Sequence, residues 1–184
     1  MHDLFYNRGI SYSEITNKDL FILPILKKNN QVYVYNKNFF YENWNEFYNT
    51  DLIEFILPLE NIEIIQNINF NKNNLLNLEL KNLFSEYSEK NLALVIIQDN
   101  NFEQEKIYLK SQIGGKSILS NITIKRLNLS DQEFYKKIII NVKKELTKLI
   151  KSRNLIDVRV PSFLNAEIKI DKINNLVELN SRLK

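Results

Sequence analysis

Leu92-Ala93-Leu94-Val95-Ile96-Ile97 is the longest uninterrupted apolar run in the chain. Successive strand residues point to opposite faces, so a run with no polar member must be buried on both. As a helix, it is far short of the ~20 apolar residues that cross a bilayer. Residues 91–97 therefore read as the central strand of a sheet, and the rest of the chain is read around them.

Several other segments read as strands. Leu20–Leu26 (LFILPIL) is a second buried strand, with Pro24 expected at an edge or bulge because it has no N–H to give. Gln31–Tyr35 alternates, and Lys27–Asn30 before it reads as a hairpin turn. Leu52–Leu57 predicts a strand ended by Pro58. Glu105–Ile113 and Ser117–Lys125 predict a hairpin around Gly114-Gly115. Closure on Ile113 and Lys116 sets Ile107 opposite Ile122.

Helical spacing marks four segments. Asn38–Tyr48 is capped by Asn38 and carries Phe40, Trp44, Phe47 and Tyr48 on one face. Leu59–Gln66 predicts a short helix. Asn74–Glu89 predicts a clearer one, through Leu76, Leu80, Leu83, Phe84 and Tyr87. Ser130–Arg153 is the longest, opened by the capping box Ser130/Glu133 and striped by Phe134, Ile138, Val142, Leu146, Leu149 and Ile150. At the ends, residues 2–8 read as the last turns of a helix stopped at Gly9. After Pro161, Leu164–Ile170 reads as a strand and Ile173–Leu183 as an amphipathic helix. That last pair has no return strand, so the polypeptide is expected to continue beyond Lys184.

The expected architecture is an α/β two-layer sandwich. A mixed sheet of strands near 20–26, 31–35, 52–57, 91–98, 105–113 and 117–125 would be packed by helices 38–48, 75–89 and 130–153. This domain would span 1–155, and 156–184 would be an incomplete C-terminal βα unit of a following small domain.

Composition narrows the chemistry. The 184 residues include no cysteine and one histidine, His2. Thiolate metal sites, disulfides and cysteine nucleophiles are excluded, and Ser/His/Asp triads lack their base in the body of the chain. The chain is rich in Asn and Ile and has two alanines, Ala93 and Ala166, a bias that AT-rich coding explains, so the Asn clusters carry little functional weight. Residues 131–184 hold 12 Lys and Arg against 7 Asp and Glu, net +5, whereas residues 1–130 hold 13 against 15, net −2. Gly114-Gly115-Lys116-Ser117 echoes the end of a phosphate loop. Position 110, where the first glycine belongs, is Lys110, and a strand rather than a helix follows. Neither the pair Glu60/Glu63 nor Glu103/Glu105 sits beside a His, a Cys or a glycine-rich loop. No catalytic residue, cofactor or metal ligand is expected.

Two segments could contact a partner. Phe39 and Tyr41 lie off the main aromatic stripe, and Trp44 is the sole tryptophan. Lys136, Lys143 and Lys144 belong to a lysine-rich face of 130–153 that is expected to be solvated.

Some residues also carry a resemblance. Leu23-Pro24-Ile25-Leu26, the aromatic segment with Asn43-Trp44, Leu57-Pro58-Leu59, and Leu83-Phe84-Ser85-Glu86-Tyr87 running into Leu92–Ile97 resemble an uncharacterised family of bacterial proteins built on a domain of unknown function. Ala166–Lys184 is similar to that family's C-terminal repeat. The resemblance implies an exported, periplasmic cell-envelope protein with a signal peptide upstream and more chain downstream, and it supplies no catalytic residues. At the level of fold alone, the element order also resembles the N-terminal domain of the periplasmic Tol–Pal component, an interaction domain. The expected function is a non-enzymatic envelope protein that binds a protein partner, with no nucleic acid and no transmembrane segment. The alternatives are an anionic-surface or nucleic-acid binder acting through 130–153, and a small-ligand binder or enzyme.

Overall fold

The computed structural model describes residues 10–12, 19–48, 53–100, 102–153 and 155–157. The sequence elements expected at 2–8, 164–170 and 173–183, the C-terminal appendage among them, lie outside the described residues. The chain divides into two compact units, residues 12–155 and residues 1–11 with 156–184. The described strands are β1 (Ile10–Tyr12), β2 (Asp19–Lys28), β3 (Gln31–Tyr33), β4 (Glu54–Ile56), β5 (Asn91–Asp99), β6 (Gln104–Ile113), β7 (Lys116–Lys125) and β8 (Leu155–Asp157). The helices are α1 (Phe39–Asn43), α2 (Ile62–Phe70), α3 (Leu80–Leu83) and α4 (Asp131–Arg153). β1 and β8 pair in a two-stranded sheet of their own.

The main sheet is mixed and six-stranded, in the order β3-β2-β5-β6-β7 with β4 also on β2. β2 runs parallel to β5 from Leu20↔Asn91 to Lys28↔Asp99. β5–β6 and β6–β7 are antiparallel. All seven residues 91–97 are buried, as a central strand requires. Parity then divides the core. Leu20, Ile22, Leu26, Ala93, Val95, Ile97, Ile107 and Leu109 pack with Phe40, Trp44 and the apolar stripe of α4. Leu23, Ile25, Leu92, Leu94 and Ile96 point the other way, onto Ile64, Ile68, Leu75, Leu80, Leu83 and Phe84. The mixed-sheet α/β sandwich expected from the sequence forms, but in three layers rather than two, because β2 and β5 are apolar on both faces and helices cover each. Each fully buried Leu or Ile contributes about 1.5–3 kcal/mol, so these two clusters dominate stability.

Both tight turns follow their residue types. Asn29 and Asn30 adopt φ of 52° and 61°, and Gly114 and Gly115 adopt 56° and 75°. Two consecutive positive φ values make the type I′ turn that matches strand twist. The Gly-Gly turn sets Ile113↔Lys116 and Ile107↔Ile122, the expected register.

Pro24 lies inside a strand flanked on both sides. β3 pairs with β2 at 26–28 and β4 pairs with it at 19–21, and both lie on the side away from β5. Among the described residues no strand pairs with 22–25 on that side, and Asn38 fills the gap. Its Nδ2 donates to Pro24 O (2.8 Å), Val34 O (2.7 Å) and Tyr33 O (3.1 Å), and its Oδ1 accepts from Phe40 N (3.1 Å). The Pro24 carbonyl faces this gap, so its absent N–H does too and no ladder bond is lost.

Three helices differ from expectation. Residues 75–89 form no continuous helix: a 3₁₀ turn at Leu75–Asn77, the four-residue α3 and a second 3₁₀ turn at Ser85–Tyr87 replace it. The segment lies flat on one sheet face, and separate turns let Leu75, Leu80, Leu83 and Phe84 all reach it. The aromatic helix ends at Asn43 and passes into a 3₁₀ turn, Trp44–Glu46. α2 begins at Ile62, capped by Asn61, whose Oδ1 accepts from Glu63 N at 2.7 Å. α4 begins as expected: Ser130 and Glu133 exchange hydrogen bonds, with Ser130 N donating to Glu133 Oε2 at 3.0 Å.

Candidate functional site

Open α/β sheets place their sites beyond the C-terminal ends of parallel strands. The ends of β2 and β5 hold Lys28 and Asp99. The Asp99 carboxylate is 1% exposed; it accepts from Lys28 Nζ at 2.8 Å, from Arg126 Nη2 at 2.8 Å and from the Tyr135 hydroxyl. Lys28 and Arg126 also reach Asp131, at 3.3 and 2.5 Å. Asp99 holds the Lys28 ammonium above its ordinary range. Burial, aided by Asp99, pushes the Tyr135 phenol up to about 12. The Arg126 guanidinium also lies 4.4 Å from the centroid of the Phe134 ring. No sequence motif links residues 28, 99, 126, 131 and 135, and only the fold assembles them. Among the described residues two cations and two carboxylates bind one another here. The cluster clamps the sheet to the first turn of α4. Glu105 is similarly committed: its buried carboxylate accepts from Asn100 N and Phe102 N, both at 2.9 Å.

Of the residues singled out in the sequence, Trp44 and Lys143 meet in one internal contact. Trp44 is fully buried, and Lys143 Nζ lies 5.9 Å from its ring and 5.3 Å from that of Phe55. Lys143 donates to Phe47 O at 2.7 Å. It is only 1% exposed, so the expected solvated lysine face does not include it. Desolvation lowers its pKa to about 8. Among the described residues no acceptor reaches Trp44 Nε1. Lys136 lies 5.0 Å over Phe47 and Lys144 5.5 Å over Tyr48. Both of these lysines are exposed. Phe39 and Tyr41 are half-buried: Phe39 packs on Tyr135, and Tyr41 packs edge-on against Tyr35 while its hydroxyl donates to Pro58 O at 2.8 Å. The aromatic segment and the lysine face thus meet at Trp44/Lys143, Phe47/Lys136 and Tyr48/Lys144, while Tyr41 packs with the cluster on the opposite face of the sheet.

A third feature was missed because it is made of backbone. β7 ends the sheet, and among the described residues no strand pairs with its outer side. A two-residue hairpin closes on a hydrogen-bonded pair, so Lys116, Ile118, Ser120, Ile122 and Ile124 bond inward to β6. The N–H and C=O groups of Ser117, Leu119, Asn121 and Thr123 then point outward. Lys125 confirms the phase: its outward carbonyl accepts from Lys137 Nζ at 2.9 Å. Beside this edge runs a groove of about 410 Å³, bounded by Ile122–Ile124 of β7 and by Asn141, Lys144, Glu145 and Lys148 of α4. Edge strands are ordinarily protected by proline, a bulge or an inward charge. β7 has ten residues, no proline, an unbroken register and charges only at its two ends.

No family model and no curated protein matches this chain. A solved structure described as "Crystal structure of uncharacterized protein" is similar to 77% of this chain and 96% of its own, at 9% identity and a TM-score of 0.27. Likeness at that level carries no argument about function. Among the described residues no helix is long and apolar enough to cross a membrane.

Proposed function

We propose that residues 12–155 form a non-enzymatic binding domain that takes up an extended segment of a protein partner by strand addition along β7. The observation that carries this reading is the open ladder of Ser117, Leu119, Asn121 and Thr123. Backbone hydrogen bonds supply affinity in this mode, and alternate side chains supply specificity. The two polar clusters support it from the other side, since Asp99 and Glu105 both hold the fold through the bonds described above. Location in the cell envelope belongs to the same proposal and rests on the sequence resemblance alone; fractionation of cells expressing the natural polypeptide tests it.

Asn121→Pro is the direct test of strand addition. It removes an outward donor, leaves the β6 bonds in place and suits an edge position. A display library of random decapeptides should enrich binders on the native protein, and those binders should lose at least tenfold in affinity on Asn121→Pro. Unchanged far-ultraviolet circular dichroism would show that the variant is folded. Peptides that bind both proteins equally, or a library that enriches nothing, would refute strand addition.

A further inference from the structure

We infer that the strand accepted by β7 carries acidic side chains at alternate positions, on the face that meets α4. This rests on strand addition at β7 and adds to it the chemical class of the partner.

Ile118, Ile122 and Ile124 of β7 point toward α4 and pack with its side of the core. A strand laid along the outer edge places every second side chain on that same face, beside the groove wall. The wall presents Lys144 and Lys148. The Lys148 side chain is 79% exposed, and its nearest carboxylate, Glu145, is 3.8 Å away. A pair so open holds its lysine only weakly. Lys144 sits over the Tyr48 ring and leaves its charge uncompensated by any acid in the described contacts. Lys116 stands at one end of the edge on this same face, and Lys137 reaches in at Lys125 O. Glu145 is the one carboxylate lining this groove among the described residues. Cations therefore outnumber anions along the length of the site, and an acidic strand complements them.

The same charges argue against a second copy of this chain. Antiparallel pairing of β7 with itself about a two-fold axis would set the two α4 walls side by side on one face. Lys144 and Lys148 would then face their own equivalents, and like charges so placed oppose the match. The favoured occupant is thus an acidic segment of another protein.

The test uses two labelled decapeptides, one alternating Val with Glu and one alternating Val with Lys, with binding followed by fluorescence anisotropy. On the native protein the Glu peptide should bind about tenfold tighter than the Lys peptide at 0.05 M salt, and the preference should shrink by 0.5 M as exposed charges are screened. In the double variant Lys144→Glu/Lys148→Glu the preference should reverse. Asn121→Pro should abolish binding of both peptides. Equal binding of the two peptides, or a Glu preference that survives the double variant, overturns the acidic class. If such binding still depends on Asn121, strand addition stands without it; if binding ignores Asn121→Pro, both readings fall. A concentration-dependent dimer in sedimentation that Asn121→Pro disperses would make a second copy the occupant and overturn the acidic partner.

Discussion

Asn38 shows how much one side chain can hold. It is fully buried and bonds both to β2, through Pro24 O, and to the first turn of α1, through Phe40 N. Asn38→Ala leaves the carbonyls of Pro24 and Val34 buried and unpaired, so about 2–4 kcal/mol should be lost, read as a lower urea midpoint at constant slope. Lys143 makes a different prediction, in pH. Burial lowers its folded pKa to about 8 from an ordinary 10.5. Above pH 8 the unfolded chain still binds the proton that the folded chain has released, so stability should rise with pH. Tyr35 and Tyr135, both raised to about 12 chiefly by burial, act in the opposite sense above about pH 10, as does Lys28, raised chiefly by Asp99. The rise should therefore appear in melting temperature between pH 8 and 10 and vanish in Lys143→Met. The cap at Asn38 was legible in the sequence, but its bonds to Pro24 and Val34, and the burial of Lys143, were not. Lys143 reads like its neighbours Lys136 and Lys144 until Trp44 and Phe55 close over it, and Asp99 meets partners as far away as residues 28 and 135.

Elements whose signals are local could be read directly. The capping box at Ser130, the Gly114-Gly115 turn and the apolar run in β5 each concern a few consecutive residues, and each forms as expected. Residues 75–89 mislead because leucines spaced for a helix can also be met by three short turns pressed on a sheet. Nothing local distinguishes the two; the demand of the Leu92, Leu94 and Ile96 face decides. The turn allows a clean test of backbone cost. A Cβ at Gly114 or Gly115 meets nothing within 4 Å, so Gly115→Ala probes conformation alone. It should cost about 1–2 kcal/mol in chemical denaturation, because φ of +75° disfavours any residue with a side chain. A loss near zero would show that the hairpin accommodates another turn type.

At the scale of the whole of residues 12–155, the sheet order predicts a gradient of protection. β5 lies between two strands and beneath both helical covers, so its amides should exchange only on global unfolding. β7 should show a two-residue rhythm, with Ser117, Leu119, Asn121 and Thr123 exchanging faster than Ile118, Ser120, Ile122 and Ile124. Hydrogen exchange by NMR reads both, and uniform protection along β7 would mean that its outer edge is covered in solution. The parallel pairing of β2 with β5 has one more consequence, during synthesis. Asn91 follows its partner Leu20 by 71 residues. At about 5–20 residues per second a ribosome needs roughly 4–14 s to deliver it. For that interval the LFILPIL segment has only the short pairings to β3 and β4 and lacks its long ladder, so a nascent-chain holdase should crosslink there, and lose its grip once translation passes β5.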